Sequence, residues 1–415
     1  MPRLRPRLRV TDPARAAALR DAWRALWVSR VVVWLAGVGA VVALGRSGQW
    51  PLFDPSGLTA PFGSVGDALV APAARWDATW YLGIALDGYS EPTRTAFFPL
   101  YPLLVRIAGA PGAAVGDDRA AYLLAGIAVS LAAFAGALYL VRRLAALELG
   151  EDAARTTTWL VALFPTAFAF SAVYTESLFL ATSAGSLYAG RLGRWRWAGV
   201  AGLLAAATRS TGTLLVVPLA ILWLQGAPRR WRDAAWIALV PAGLLAYLVY
   251  LAAATGDPWT PFSVQDAWYR ELAGPWGGAW DGAVAAWDGV RQLFSGSREH
   301  VYFATAAGDP FVVAAHNVGN FAFLGFAVVA VVGVFRRLPL AYGAWALLAV
   351  AAPLSYPVGP EPLASLQRYL AVVFPLHMWL AAWATDRGWQ RPAALVSGVL
   401  LAALTVPFAA WEWVA

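Results

Sequence analysis

The chain reads as an all-α polytopic membrane protein, and three observations predict it. Of its 415 residues 60% are hydrophobic and 13% charged, where a soluble domain carries about 25% charged residues. Apolar runs of roughly 18 residues or more, long enough to cross a bilayer as a helix, recur along its length. Its arginines are also unevenly distributed between alternate loops, the bias that fixes membrane orientation. Nothing has the composition of a soluble domain, so residues 1–415 are read as one integral membrane domain.

About eleven spans are expected, at 25–45, 119–141, 155–173, 175–190, 197–208, 213–225, 232–254, 311–335, 339–354, 367–384 and 393–412. The first is too long for the apolar core of a signal peptide and is expected to stay in the protein. The segments 197–208 and 213–225 are too short to cross upright. They read as broken helices meeting at Arg209-Ser210-Thr211-Gly212 inside the bundle. With the N-terminus cytoplasmic, 20 of the 31 basic residues fall inside and 17 of the 24 acids outside. Two long segments then lie outside. Residues 46–118 hold a surface-lying helix near 78–88 and a second interfacial helix after Phe97-Phe98-Pro99. Residues 255–310 are rich in Trp, Gly and Pro.

Composition excludes several classes of function. Cysteine is absent, which removes disulfides, thiolate metal sites and cysteine nucleophiles. All basic residues are arginine, and the net charge of +7 fits cytoplasmic loops, so no nucleic-acid partner is expected. The three histidines, His300, His316 and His377, show no metal-binding spacing. His377 reads as a satisfied histidine within the bundle. There is no Walker motif, G-x-S-x-G or glycine-rich nucleotide loop.

The informative residues are charges in apolar surroundings, where each is costly. Asp77, after Arg75 and Trp76, begins the 78–88 helix and reads either as its cap or as a general base. Glu176, after Tyr174 and Thr175, reads as a first-turn acid or as a group binding sugar hydroxyls or an arginine. Arg209, at the break between two short helices, pairs with Glu176 or grips a phosphate through its planar fork. Arg368, in Gln367-Arg368-Tyr369, has the same two readings, and Arg270 is a weaker third. The outer-loop tryptophans read as interface anchors or as stacking surfaces for sugars.

Arg75-Trp76-Asp77, Ile84-Ala85, Gly88-Tyr89 and Phe97-Phe98-Pro99-Leu100-Tyr101-Pro102 together resemble the first luminal loop of the PIG-V mannosyltransferases. The stretch from Phe164-Pro165 to Ser171-Ala172-Val173-Tyr174-Thr175-Glu176-Ser177 resembles that family's second block. Ala206-Ala207-Thr208-Arg209-Ser210-Thr211-Gly212 resembles the third, with Thr211 in place of the usual Asn, and Gln367-Arg368-Tyr369 a late block. The resemblance implies a GT-C glycosyltransferase that takes a mannosyl or related hexosyl group from a polyprenyl-phosphate donor. Its acceptor would be a lipid-linked or envelope glycan, reached at the extracytoplasmic face. Asp77 would be catalytic. Arg75, Trp76, Tyr174, Glu176, Arg209, Gln367 and Arg368 would bind substrate, with no cofactor and no divalent metal. An O-antigen-type ligase or polymerase and a lipid-linked sugar transporter are the competing classes.

Overall fold

The computed structural model describes residues 12–45, 50–226, 229–303 and 308–414. They form nineteen α-helices and five short 3-10 turns, with no strand beyond one isolated bridge between Arg270 and Val358. Four helices are long and apolar enough to cross a membrane: Pro13–Leu44, Asp118–Leu149, Pro310–Arg337 and Gln390–Ala409. The pair Trp231–Ile237 and Ala242–Thr255, bent by 45°, makes a fifth if counted as one span. The chain is a multi-pass membrane protein of helices only, as its composition predicts.

The expected list of uninterrupted spans needs correction. The segment expected at 155–173 is helical only over Glu151–Ala162 and then loses regular form around Phe164-Pro165. The segment expected at 367–384 is split into Leu366–Ala371 and Phe374–Asp386. The helix expected to end at 141 runs on to Leu149. Each break sits at or beside a proline, Pro165, Pro241 or Pro375, which supplies no backbone donor. At Arg209 the chain is extended (φ −153°, ψ 144°) between Trp195–Thr208 and the 3-10 turn Ser210–Leu215, so the break expected there is present.

The helix Ala78–Asp87 forms where expected, but six of its residues, including Tyr81, Leu82 and Ile84, are buried. It packs into the bundle and does not lie on it as a surface helix. Leu100–Ala113 follows and buries Tyr101, Val105 and Gly109, one helical stripe at i, i+4, i+8.

Residues 163–175 form an irregular segment in the middle of the protein, where unpaired backbone groups are costly. Three side chains and one backbone carbonyl satisfy it, and one of its own side chains reaches out. Arg30, 2% exposed on the first spanning helix, donates from Nη1 to the Ala167 carbonyl (2.8 Å) and to Ser171 Oγ (2.7 Å). Ser130 Oγ donates to the Ala172 carbonyl (2.6 Å) and Ser177 Oγ to the Phe170 carbonyl (2.6 Å). The Val173 amide donates to the Ala73 carbonyl (2.9 Å). Thr166 Oγ1 donates to the carbonyl of Gln367 (3.0 Å). This one segment therefore ties together the chain just before Asp77, the start of the Glu176 helix and the residue preceding Arg368.

Candidate active site

Asp77 takes the cap position of the Ala78–Asp87 helix, yet its side chain makes no capping bond. The preceding residue, Trp76, has φ +51°, a left-handed conformation that a bulky residue adopts only when its surroundings enforce it. Phe53, Trp411 and Trp413 enforce it here, with ring centres 4.7, 5.6 and 5.2 Å from the Trp76 ring. Turned by that backbone, Asp77 Oδ2 accepts a hydrogen bond from Arg368 Nη1 at 2.7 Å.

From that contact a chain of alternating charge runs inward. Arg368 Nε lies 3.3 Å from Glu176 Oε1, and Arg209 Nη2 lies 2.5 Å from the same oxygen. Arg209 Nε donates to Thr175 Oγ1 (2.9 Å). The order is Arg209, Glu176, Arg368, Asp77, and the four residues meet although they come from four separate segments. The Glu176 side chain is 1% exposed and that of Asp77 22%. Glu176 is the buried counter-ion of two arginines, and Asp77 is the carboxylate that reaches open space. Asp77 Oδ1, Arg209 Nη1 and Arg368 Nη2 make no hydrogen bond among the described residues.

That open space is a cavity of about 340 Å³. Asp77, Arg209 and Arg368 line one side. Phe262, Gln265, Trp268 and Arg270, from the segment after residue 255, line the other. Between them stands Tyr369, whose hydroxyl accepts from Arg270 Nη2 at 3.2 Å. Its ring centre is 5.8 Å from the guanidinium carbons of both Arg209 and Arg368. Three arginines thus face the cavity against two carboxylates, and Arg270 has no carboxylate partner among the described residues. The surplus positive charge suits an anionic ligand.

The remaining sequence-predicted residues do not line the cavity. Arg75 is 1% exposed. It donates to the carbonyls of Ala409 (2.8 Å) and Ala74 (2.7 Å) and lies 5.2 Å from the Trp411 ring centre. Trp76 is buried in its aromatic cluster. Gln367 Nε2 donates to Asn320 Oδ1 (2.9 Å) and to the Val414 carbonyl (3.0 Å). Tyr174 lies behind the site, its ring 5.1 Å beneath the Arg368 guanidinium and its hydroxyl donating to the Arg75 carbonyl (3.1 Å). These four hold the loops that carry the cavity residues. His377 is fully buried on the Ala371 carbonyl at 3.1 Å, as a bundle histidine should be. Among the described residues no group of three or more His, Cys, Asp or Glu side chains converges.

Sequence reasoning passed over two residues. Tyr369 was read only as part of a motif, and nothing in its local pattern separates it from an interfacial tyrosine. Arg30 carried a usable signal, since a charged side chain inside an apolar run is costly and calls for a reason.

Residues 52–226 match the family model described as Mannosyltransferase (PIG-V), which bears out the resemblance read from the sequence. The matched stretch contains Asp77, Glu176 and Arg209. Three crystal structures of an Archaeoglobus fulgidus oligosaccharyltransferase are similar in fold. The apo form aligns at 13% identity and TM-score 0.47, over 93% of this chain and 56% of that one. The form tethered to an acceptor peptide aligns at 11% and 0.46, over 94% and 55%. The form with Zn and sulfate aligns at 13% and 0.44, over 79% and 48%. This chain spans about half the length of those structures. Comparison with curated proteins finds no match.

Proposed function

We propose that this protein, with its PIG-V mannosyltransferase segment, is an inverting membrane glycosyltransferase. It moves a mannosyl or related hexosyl group from a polyprenyl-phosphate donor to a lipid-linked or envelope glycan. The observation that carries this reading is the alternating chain Arg209–Glu176–Arg368–Asp77 ending at the cavity, opposite the unpaired charge of Arg270. The arginine bias of the loops supports an extracytoplasmic cavity and a cytoplasmic N-terminus.

Asp77 is the base. Arg368 holds one of its oxygens, and Oδ1 is left to take the proton from the acceptor hydroxyl. The acceptor oxygen then attacks the anomeric carbon from the face opposite the leaving group. The bond from that carbon to the phosphate oxygen breaks, and polyprenyl phosphate departs with the electron pair. Developing negative charge on the phosphate meets Arg270 and the two free nitrogens, Arg209 Nη1 and Arg368 Nη2. Fixed cations in a partly desolvated site stabilise it without reorganising. Glu176 contacts no substrate in this scheme. It cancels enough charge to let two arginines sit side by side.

Purified protein in liposomes, given polyprenyl-phosphate [³H]mannose and extracted membrane glycolipids, should form a labelled glycolipid and release polyprenyl phosphate. Movement of intact donor across the bilayer without cleavage would instead make the protein a transporter.

A further inference from the structure

Residues with a side chain avoid the left-handed backbone region, and where they hold it their surroundings enforce it. Among the described residues four do so: Trp76, Tyr269, Ser365 and Trp411. Each stands at or beside a residue that lines the cavity. Trp76 precedes Asp77 and Tyr269 precedes Arg270, the base and the free cation of the proposed chemistry. Trp411 comes two residues before Trp413, which lines the cavity, and Ser365 lines it directly. That chemistry uses neither Trp413 nor Ser365, and both lie outside the matched stretch 52–226.

Ser365 takes the cap position of the helix Leu366–Ala371 with φ +65°. Glycine holds that conformation at no steric cost, so what serine adds there is its hydroxyl. The residue is 2% exposed. Its hydroxyl makes no capping bond and no other hydrogen bond among the described residues, although a buried polar group normally finds a partner. It stands about one helical turn ahead of Arg368 and Tyr369, on the side that meets the cavity. Trp413 is held from two directions. Its ring meets that of Trp76 edge to face, 5.2 Å away and at 88°. Gln367 Nε2 fixes the following residue by the Val414 carbonyl (3.0 Å). The Trp413 indole N–H has no partner among the described residues. Trp413 therefore stands between the chain that delivers Asp77 and the helix that begins at Ser365. The cavity's cations gather elsewhere, around Tyr369, which touches Arg209, Arg270 and Arg368.

We propose that Trp413 and Ser365 form the acceptor subsite, and that the acceptor presents a neutral pyranose to it; this rests on the transfer reaction proposed above. The row of charges gives the cavity two ends. Arg209, Arg270 and Arg368 suit the donor phosphate. Past Asp77 the wall offers an indole and a hydroxyl and no further charge, which suits an uncharged ligand. One face of a pyranose is lined by C–H bonds and its rim by hydroxyls. An aromatic ring can cover the face while a few placed polar groups fix the rim. Trp413 supplies the ring and one N–H donor, and Ser365 supplies a hydroxyl able to donate and accept. Asp77 lies between the two ends, where a base must stand to take a proton from the acceptor as it attacks the donor. A peptide or a lipid alcohol has no flat C–H face to set against the indole.

The full chain in nanodiscs allows a binding test that needs no turnover. With octyl α-mannoside as the probe, saturation-transfer NMR should mark the sugar's ring protons above the level given by empty nanodiscs. The signal should fall in Trp413→Leu and in Ser365→Gly and persist in Asp77→Asn. With polyprenyl-phosphate mannose as donor and octyl α-mannoside as acceptor, Ser365→Gly should raise acceptor KM about 2–10-fold, the worth of one hydrogen bond. Its melting temperature should not fall, because glycine relaxes the backbone. Trp413→Leu should raise acceptor KM about tenfold, and donor KM should stay at the wild-type value in both variants. A rise in donor KM with acceptor KM intact would overturn the proposal. So would a fall in kcat with both KM values intact, which would leave Trp413 only as a prop for Trp76. N-acetylthreonine octylamide or octanol competing as well as octyl mannoside would overturn the pyranose. Transfer by the wild type, with neither variant changing the NMR signal or acceptor KM, would sink the subsite and leave the proposed function standing. No transfer by the wild type, with a ring-proton signal that still depends on both residues, would sink the proposed function and leave a sugar-binding site.

Discussion

The two walls of the cavity are built in opposite ways. The wall bearing Asp77, Arg209 and Arg368 is backed by Glu176, Tyr174, Arg30 and the irregular segment 163–175, whose buried polar side chains are tied by ion pairs and hydrogen bonds to several separate segments. The wall bearing Gln265, Trp268 and Arg270 rests on the 3-10 turn Val264–Trp268, which buries no residue, and on Tyr269 in a left-handed conformation. Its ties to the rest are few: the Arg270–Tyr369 bond, the bridge to Val358 and the Trp268 contacts with Trp80 and Phe97. Dense buried networks resist local opening and sparse exposed segments allow it. Under the proposed function the difference divides the labour, with proton transfer on the rigid wall and ligand admission on the movable one. Substitutions on the first should cost turnover or folding, and those on the second should cost donor affinity.

Asp77→Asn should break the rigid wall's chemistry and leave its structure alone. The amide oxygen still accepts from Arg368, so the melting temperature in detergent should stay near wild type. Loss of the base should lower kcat by about 10²–10⁴-fold. Wild-type turnover in the well-folded variant would move the base elsewhere.

Glu176→Gln tests the claim that this acid works only on arginines. Removing one partner of a buried ion pair costs about 3–5 kcal/mol, and here two arginines lose it together. The expected result is a large fall in melting temperature, with activity lost through misfolding. A stable but inactive Glu176→Gln protein would mean that the carboxylate meets substrate after all.

How much of this was legible in the sequence follows the same division. Asp77, Glu176, Arg209 and Arg368 stand out because a charge in apolar surroundings demands a partner or a task. The pairing of Arg209 with Glu176 was one of the two readings open to those residues; the contacts of Arg368 with Asp77 and Glu176 could not be read, because they depend on the path of residues 163–175, a stretch whose hydropathy looks like a span. For the same reason the expected spans outnumber the uninterrupted long helices: buried broken helices and true spans share a composition. Arg75 and Gln367 sit beside site residues in the same motifs yet point into the scaffold, since a motif fixes proximity along the chain and not the direction of a side chain. Trp268 and Arg270 lay in a loop whose tryptophans had two readings, and only the fold brings them opposite Asp77.

Arg270→Gln should act on the other wall. It removes the one cavity arginine that has no carboxylate partner among the described residues, and of its side-chain contacts it disturbs that with Tyr369. KM for the polyprenyl-phosphate donor should rise about tenfold, the worth of one charge-assisted hydrogen bond at roughly 1.5 kcal/mol, with kcat and melting temperature little changed. An equal loss in kcat with KM intact would place Arg270 in the transition state alone.

Tyr369→Phe is the finest probe and should give the smallest effect. The ring remains between Arg209 and Arg368 and keeps its packing. Only the hydroxyl that accepts from Arg270 Nη2 at 3.2 Å is lost. A single hydrogen bond of this kind is worth about 0.5–1.5 kcal/mol, so donor KM should rise by no more than about tenfold and kcat should stay close to wild type. If the hydroxyl acts only by aiming Arg270, its loss should add nothing in an Arg270→Gln background, and a double-mutant cycle would show the two effects fully coupled. Additive losses would mean that Tyr369 touches the ligand itself, extending the binding wall across to the rigid side of the cavity.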